Sequence, residues 1–295
     1  MRELRRYILI AALVFGLPLL LVAANVTFRD RGLELAADPP EVRLEALRAH
    51  WRLRLPDGDG PAPLALLLSG CDGPADNLDS YADILDAMGW ASLILDSHSP
   101  RGLDQLQAWR LVCVGQVLSG AERAGDVAVA VAAMAQDPRI DGGRMVILGA
   151  SHGGWAGLEY LAHLGRALPP PGLSAWPEPR RDSAARVQGA FLLYPYCGLF
   201  NRADTQGIQR MIPLRFVLAE HDRIVENESC LALVDALRAD GQEVALDVIE
   251  GVDHGFDQQR KAPGSLLVYD EGAAARVDAM LAAFIASLPE PVVRP

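Results

Sequence analysis

From residue 62 onward, short apolar runs of strand length alternate with stretches of helical spacing, and few folds satisfy that alternation. Ala62 to Ser69, Trp90 to Asp96, Met145 to Gly149, Val187 to Tyr194, Leu214 to Ala219 and Val244 to Ile249 read as strands. Asn77 to Met88, Glu122 to Gln136, Gly153 to Leu164, Ser229 to Ala239 and Glu271 to Ser287 read as helices. Strands that take turns with helices form βαβ units. The result is an α/β fold with a mostly parallel sheet covered by helices on both faces. Such a sheet puts its chemistry just beyond the carboxyl ends of its strands. A chain of 295 residues suffices for one large core of this kind and not for two. The stretch 41–56 alternates poorly, but Trp51, Leu53 and Leu55 sit at period two, so early antiparallel strands are expected there.

The start of the chain stands apart. Arg2, Arg5 and Arg6 precede an apolar run from Tyr7 to Ala24. Residues 1–24 therefore read either as a signal peptide ending in Val22-Ala23-Ala24 or as an N-terminal membrane anchor close to the minimum spanning length. Both readings export the rest of the chain, to face the periplasm or the exterior, and limit membrane contact to this segment. Residues 25–40 read as a linker closing on Pro39-Pro40, and 41–288 as the folded domain. A net charge of -11 with dispersed basic residues argues against a nucleic-acid partner.

The chemistry centres on Gly149-Ala150-Ser151-His152-Gly153-Gly154. A G-x-S-x-G pattern arises by chance in roughly one chain in ten of this length, so the pattern alone says little. Its setting says more, because it follows the strand Met145 to Leu148 and opens a helix, as a nucleophile elbow requires. The flanking glycines let neighbouring chain pass close, and the turn lifts the Ser151 hydroxyl above the sheet. It also aims the backbone N–H of His152 at a reacting oxygen, while the His152 side chain should turn away from the hydroxyl.

A serine hydroxyl needs a base, and the base needs an orienting acid. Leu214 to Ala219 runs into Glu220-His221-Asp222, and Val244 to Ile249 runs into Glu250-Gly251-Val252-Asp253-His254-Gly255. The order Ser151, Asp222, His254 gives nucleophile, acid and base in the chain order of such sheets. Glu220 is the rival acid, and Asp253 lies too near His254 in sequence to orient it. His50, His98 and His163 read as surface or structural residues. The second oxyanion donor is expected from Ser69-Gly70-Cys71-Asp72-Gly73, with the N–H of Cys71 as candidate. No metal-ligand spacing and no cofactor motif is visible.

At these residues the sequence resembles the dienelactone hydrolase family of α/β hydrolases. The resemblance rests on Ser69-Gly70-Cys71-Asp72-Gly73, on Asp96-Ser97-His98-Ser99-Pro100-Arg101-Gly102, and on Ile140-Asp141 ahead of the elbow. It continues through Tyr194-Pro195 to Asp222 and His254, and covers roughly residues 62–288. It implies an α/β-hydrolase fold and a small-molecule ester or lactone substrate, cleaved through an acyl-serine intermediate. The name-giving enzymes carry cysteine as nucleophile where this chain has Ser151, which favours a general esterase over a dienelactone hydrolase. The family also suggests that Arg101 shapes the pocket, although the residue alone reads equally as a structural salt bridge. An acyltransferase or peptidase on the same three residues, or a membrane-tethered binding domain without activity, are the alternatives. The segment Leu199 to Pro213 is expected to contribute to the pocket wall.

An exported chain with four cysteines suggests disulfides. Cys197 closes one strand and Cys230 opens the helix after the next, so these two should be near neighbours. Cys71 then pairs with Cys113; four buried free thiols are the alternative.

Overall fold

The structure, a computed structural model, describes residues 5–7, 12–33, 35–262 and 264–289. Residues 1–4 of the basic start and 8–11 of the apolar run lie outside the described residues. A π-helical turn, Ala12–Gly16, leads into α1 (Leu17–Asp30). Then follow α2 (Pro40–Arg48), β1 (Arg52–Arg54), β2 (Ala62–Leu68), α3 (Asp76–Ala87), β3 (Ala91–Leu95), α4 (Gln105–Leu111) and α5 (Gly120–Met134). The chain continues through β4 (Ile140–Ala150), α6 (His152–His163), α7 (Arg180–Arg186), β5 (Val187–Leu193), α8 (Arg202–Gln206), β6 (Leu214–Ala219), α9 (Asn227–Ala239), β7 (Val244–Ile249) and α10 (Glu271–Ser287).

The sheet has seven strands in the order β1-β3-β2-β4-β5-β6-β7, all parallel except β1, which runs antiparallel to β3. This is an α/β-hydrolase fold. The inner strands are apolar without alternation because both faces are covered. Leu64, Leu66 and Leu68 of β2 pack into one hydrophobic cluster, and Ala65 and Leu67 into the other. The chain winds from β2 out to β3 and returns to β4 on the other side of β2. The carboxyl ends of β2 and β4 therefore flank the point where the winding reverses, where α/β sheets form their binding crevices.

Two segments differ from the sequence expectation. Residues 41–48 are helical, and only Arg52–Arg54 forms the expected antiparallel strand. Pro40 suits the first helical turn, and Arg43 and Leu47, four apart, bury one face. The linker expected over 25–40 begins as helix. Asn25 donates to the carbonyl of Gln116 at 2.8 Å and Arg29 pairs with Glu122 at 2.9 Å, so α1 is held against the domain. Among the described residues, no helix is long and apolar enough to cross a membrane.

Charge fastens α5 to α2 and to the turn that follows β3. Asp126 on α5 is fully buried and receives Arg43 at 2.8 Å and the fork of Arg101 at 2.9 and 3.0 Å. Burial alone would raise its pKa, but the two guanidiniums outweigh that and hold the carboxyl below its usual value. Arg101 thus takes the salt-bridge alternative, and it is absent from the lining of the cavity described below. Replacing Asp126 by Asn would take the carboxylate from the Arg101 fork and leave Arg43 with Asp38 alone. Loss of one partner of a buried pair costs about 3–5 kcal/mol, and urea denaturation of Asp126→Asn should show a loss of that order.

Buried histidines weaken the fold toward acid, His98 and His163 among them. Burial pulls His98 down to about 3 and His163 to about 4. Each donates one ring N–H to a backbone carbonyl, His98 Nε2 to Cys71 (3.2 Å) and His163 Nδ1 to Glu159 (2.8 Å). Both folded values lie below that of a free histidine, so on acidification the unfolded chain takes up protons first. The stability from burying them neutral is complete above about pH 6.5 and is lost as pH falls toward 4 and then 3. Unfolding free energies from urea denaturation should fall by about 1.4 kcal/mol per pH unit for each histidine between pH 6.5 and 4.5, and His163→Gln should remove one such increment from the slope.

Candidate active site

β4 delivers Ser151 at the carboxyl edge of the sheet, and the next residue starts α6. Ser151 has φ 54° and ψ −117°, a left-handed backbone that a non-glycine residue rarely adopts. Surrounding hydrogen bonds hold it there. Its N–H donates to the carbonyl of Leu193 at 2.8 Å, and its carbonyl accepts from Trp155 (3.1 Å) and Tyr196 (3.3 Å). The flanking glycines are required by close approach. A Cβ on Gly149 would lie 2.6 Å from the carbonyl oxygen of Gly153, and one on Gly153 would lie 2.6 Å from that of Ser69. The elbow is therefore pressed against the end of β2.

Three loops meet above this turn. The Ser151 hydroxyl lies 2.8 Å from Nε2 of His254, and Nδ1 of His254 lies 2.7 Å from Oδ2 of Asp222. The other Asp222 oxygen accepts the N–H groups of Ile224 (3.0 Å) and Val225 (2.7 Å), which fixes the carboxylate. Glu220 does not reach the imidazole; its carboxylate accepts from the N–H of Gly251 at 2.8 Å. Asp253 is engaged by Arg223 and by the backbone N–H of His254.

Behind the imidazole lies a network that the sequence reading missed. The ring of Tyr194 meets that of His254 edge-on, with centroids 4.6 Å apart. The Tyr194 hydroxyl donates to Asp257, which also accepts from Tyr81 (2.5 Å) and Asn77 (2.9 Å). Burial, then the charge of Asp257, pushes both phenol pKa values well above 10, so both remain donors. The signal in sequence was Asp257 three residues after His254, which only the fold connects to α3.

The β2 turn lies beside the serine, and a Cβ on Gly70 would be 3.9 Å from that of Ser151. The N–H of His152, in the first turn of α6, has no intrahelical acceptor, so it and the N–H of Cys71 are the candidate oxyanion donors. Beneath them lies Arg123 of α5, with 1% of its surface exposed. It donates to the Ser69 carbonyl at 2.9 Å and to Nδ1 of His152 at 3.1 Å, and so ties both donor turns together. Burial lowers the guanidinium to about 10, still charged at neutral pH. Burial and then this neighbouring cation keep His152 well below its ordinary pKa, as a neutral acceptor at Nδ1. The side chain of His152 is thus turned from the hydroxyl, as expected, and toward the Arg123 guanidinium.

Both expected disulfides are present, Cys71–Cys113 and Cys197–Cys230, each with Cα atoms 5.0 Å apart. The first fastens the β2 turn to the segment after α4. A cavity of about 480 Å³ opens over Ser151. Trp109, Ile224, Leu266 and Leu267 give it apolar walls, with Asp72 and Gln258 at the polar end. Burial raises the Asp72 carboxyl above its usual range, against the opposing hydrogen bond from Gln258 at 3.1 Å. The segment Leu199 to Pro213 does not line this cavity, because it packs beside α6 and α9 instead. Among the described residues no group of three or more His, Cys, Asp or Glu side chains could hold a metal ion.

Residues 172–288, which contain Asp222 and His254, match the sequence model of the dienelactone hydrolase family. No curated protein sequence matches the chain. Among solved structures, a dienelactone hydrolase-like promiscuous phosphotriesterase from metagenomic libraries superposes with a TM-score of 0.57 at 19% identity, covering 81% of this chain and 99% of that one. A putative dienelactone hydrolase from Klebsiella pneumoniae subsp. pneumoniae gives 0.60 at 16% identity, with 80% and 99% covered. Esterase 2 of Thermogutta terrifontis, phosphonylated by cyclosarin, gives 0.57 at 16%, with 82% and 90% covered. The chain thus has the α/β-hydrolase fold, and over residues 172–288 its sequence is similar to the dienelactone hydrolase family.

Proposed function

We propose that the protein is a serine hydrolase that cleaves a carboxylic ester or lactone through an acyl-serine intermediate. The observation that carries this reading is the continuous set of hydrogen bonds from Ser151 through His254 to Asp222. Asp222 keeps the proton of the neutral imidazole on Nδ1, so Nε2 faces the hydroxyl as an acceptor. As Ser151 attacks the carbonyl carbon, its proton passes to His254, and Asp222 stabilises the imidazolium. The oxyanion forms toward the N–H groups of His152 and Cys71, with the buried charge of Arg123 below them adding to the favourable field. His254 then returns the proton to the departing alkoxide. Water, deprotonated by the same imidazole, cleaves the acyl-serine. A carbonyl substrate fits the neutral serine nucleophile, and the largely apolar cavity fits an uncharged acyl group.

Ser151→Ala and His254→Ala should each lower p-nitrophenyl acetate turnover by about 10,000-fold or more, with unfolding midpoints unchanged. Asp222→Asn should cost roughly 1,000- to 10,000-fold through the wrong tautomer. Glu220→Gln should stay within about tenfold of wild type, since its exposed carboxylate does not touch the imidazole. Full activity in Ser151→Ala would remove the assignment, and reversed losses at positions 220 and 222 would move the acid.

We further propose that the domain is exported. The two disulfides support an oxidising compartment, and the basic start followed by an apolar run supports passage across a membrane. Alkaline phosphatase fused after Pro40 should be active, and an inactive fusion would count against export.

A further inference from the structure

From residue 14 to residue 23 the N-terminal helical segment is apolar on every side and exposed. Leu19, Leu20 and Leu21 are consecutive, each at least 61% exposed, and Val14, Phe15, Leu17 and Val22 are exposed too. Successive helical residues point 100° apart, so this surface has no polar face. A groove or a second copy of the chain covers one stripe of a helix, whereas lipid surrounds all of it. The exposed Arg5 and Arg6, on the N-terminal side of the run, suit lipid phosphates.

The other end of this helix fixes where the domain sits. Asn25 bonds Gln116, and Val26 lies against Gly115, where an added Cβ would be 3.6 Å from it. The helix therefore leaves the domain at the segment joining α4 to α5. Together with α4, that segment forms one lip of the cavity, through Trp109 and Cys113. Leu106, Trp109 and Val114 are exposed on it, and Ile224 and Leu266, exposed at 66% and 86%, belong to the cavity lining. A lipid surface that takes up residues 12–24, about 20 Å of helix, brings this lip to the headgroup level. A tryptophan at the lip suits that level.

We infer that the mouth of the cavity rests on a lipid surface and that the substrate is a lipid-borne ester with an apolar chain, taken up past Trp109. The substrate assignment rests on the acyl-serine reading above; the lipid contact does not. The apolar lip then guides the acyl chain from the bilayer to Ser151 without exposing it to water. A water-soluble ester gains nothing from the lip.

The test uses the full chain in phosphatidylcholine vesicles, with p-nitrophenyl palmitate dispersed in the lipid and p-nitrophenyl acetate in the water. Leu106 and Val114 are outside the cavity lining. Leu106→Asp combined with Val114→Asp should lower turnover of the palmitate at least tenfold and leave that of the acetate within twofold. Unchanged turnover of both esters would overturn the inference. Should the double variant lose both activities through misfolding, a second measurement decides. Brominated phosphatidylcholine should quench the tryptophan emission of the wild type, and most of that quenching should vanish in Trp109→Phe. Quenching that survives the substitution, or shielding of Trp109 by a dimer formed without lipid, would overturn the lipid contact. A wild-type chain that hydrolyses neither ester would defeat the acyl-serine reading and the substrate assignment with it, while the quenching would still decide the lipid contact.

Discussion

The contact between the end of β2 and the turn after β4 is the constraint on which the site depends. Gly153 carries no side chain because the carbonyls of Leu68 and Ser69 occupy the place a Cβ would take. That close approach puts the β2 turn beside Ser151 and makes its N–H groups available to the same oxygen. It also forces Ser151 into a left-handed backbone that costs about 1–3 kcal/mol in isolation. The strain persists because three backbone hydrogen bonds, two with the end of β5 and one with α6, over-determine the turn.

The site is then stiffened from below by groups that touch no substrate. Arg123 brings a buried charge to both donor turns, with Asp126 and Asp96 acting on it through space. His98 holds the carbonyl of Cys71, and the Cys71–Cys113 disulfide holds the same residue from the opposite side. On the imidazole side, Asp257 gathers Tyr81, Tyr194 and Asn77 into one network against which His254 rests. Preorganised dipoles and charges of this kind stabilise a developing oxyanion without having to reorient when it forms. The arrangement therefore links the proposed acyl-serine reading to particular buried residues and not only to Ser151, His254 and Asp222.

The same segment that carries Cys113 also carries the N-terminal helix. The α4–α5 connection joins Asn25, the disulfide, the cavity lip and the β2 turn within a short length of chain. A force or a surface acting on the helix is thereby mechanically close to the candidate oxyanion donors.

The sequence by itself determined the alternation of strands and helices, because apolar periodicity reports burial on one face or two. β6, β7 and α10 begin and end where the periodicity puts them. It also marked Ser151, Asp222 and His254, since each follows a strand end and chain order constrains which loops can meet. Short helices escaped it: α4 is announced only by the capping box of Asp104 and Gln107, and α2 by Pro40, signals too local to outweigh a weak apolar pattern. Only the tertiary structure decided that Asp222 and not Glu220 meets the imidazole, that Arg101 turns to Asp126, and that Arg123 lies beneath both donor turns. Those choices depend on which side of a strand end a side chain leaves from and on which charges are buried together. Both are properties of packed neighbours far apart in the chain, and no local pattern encodes them.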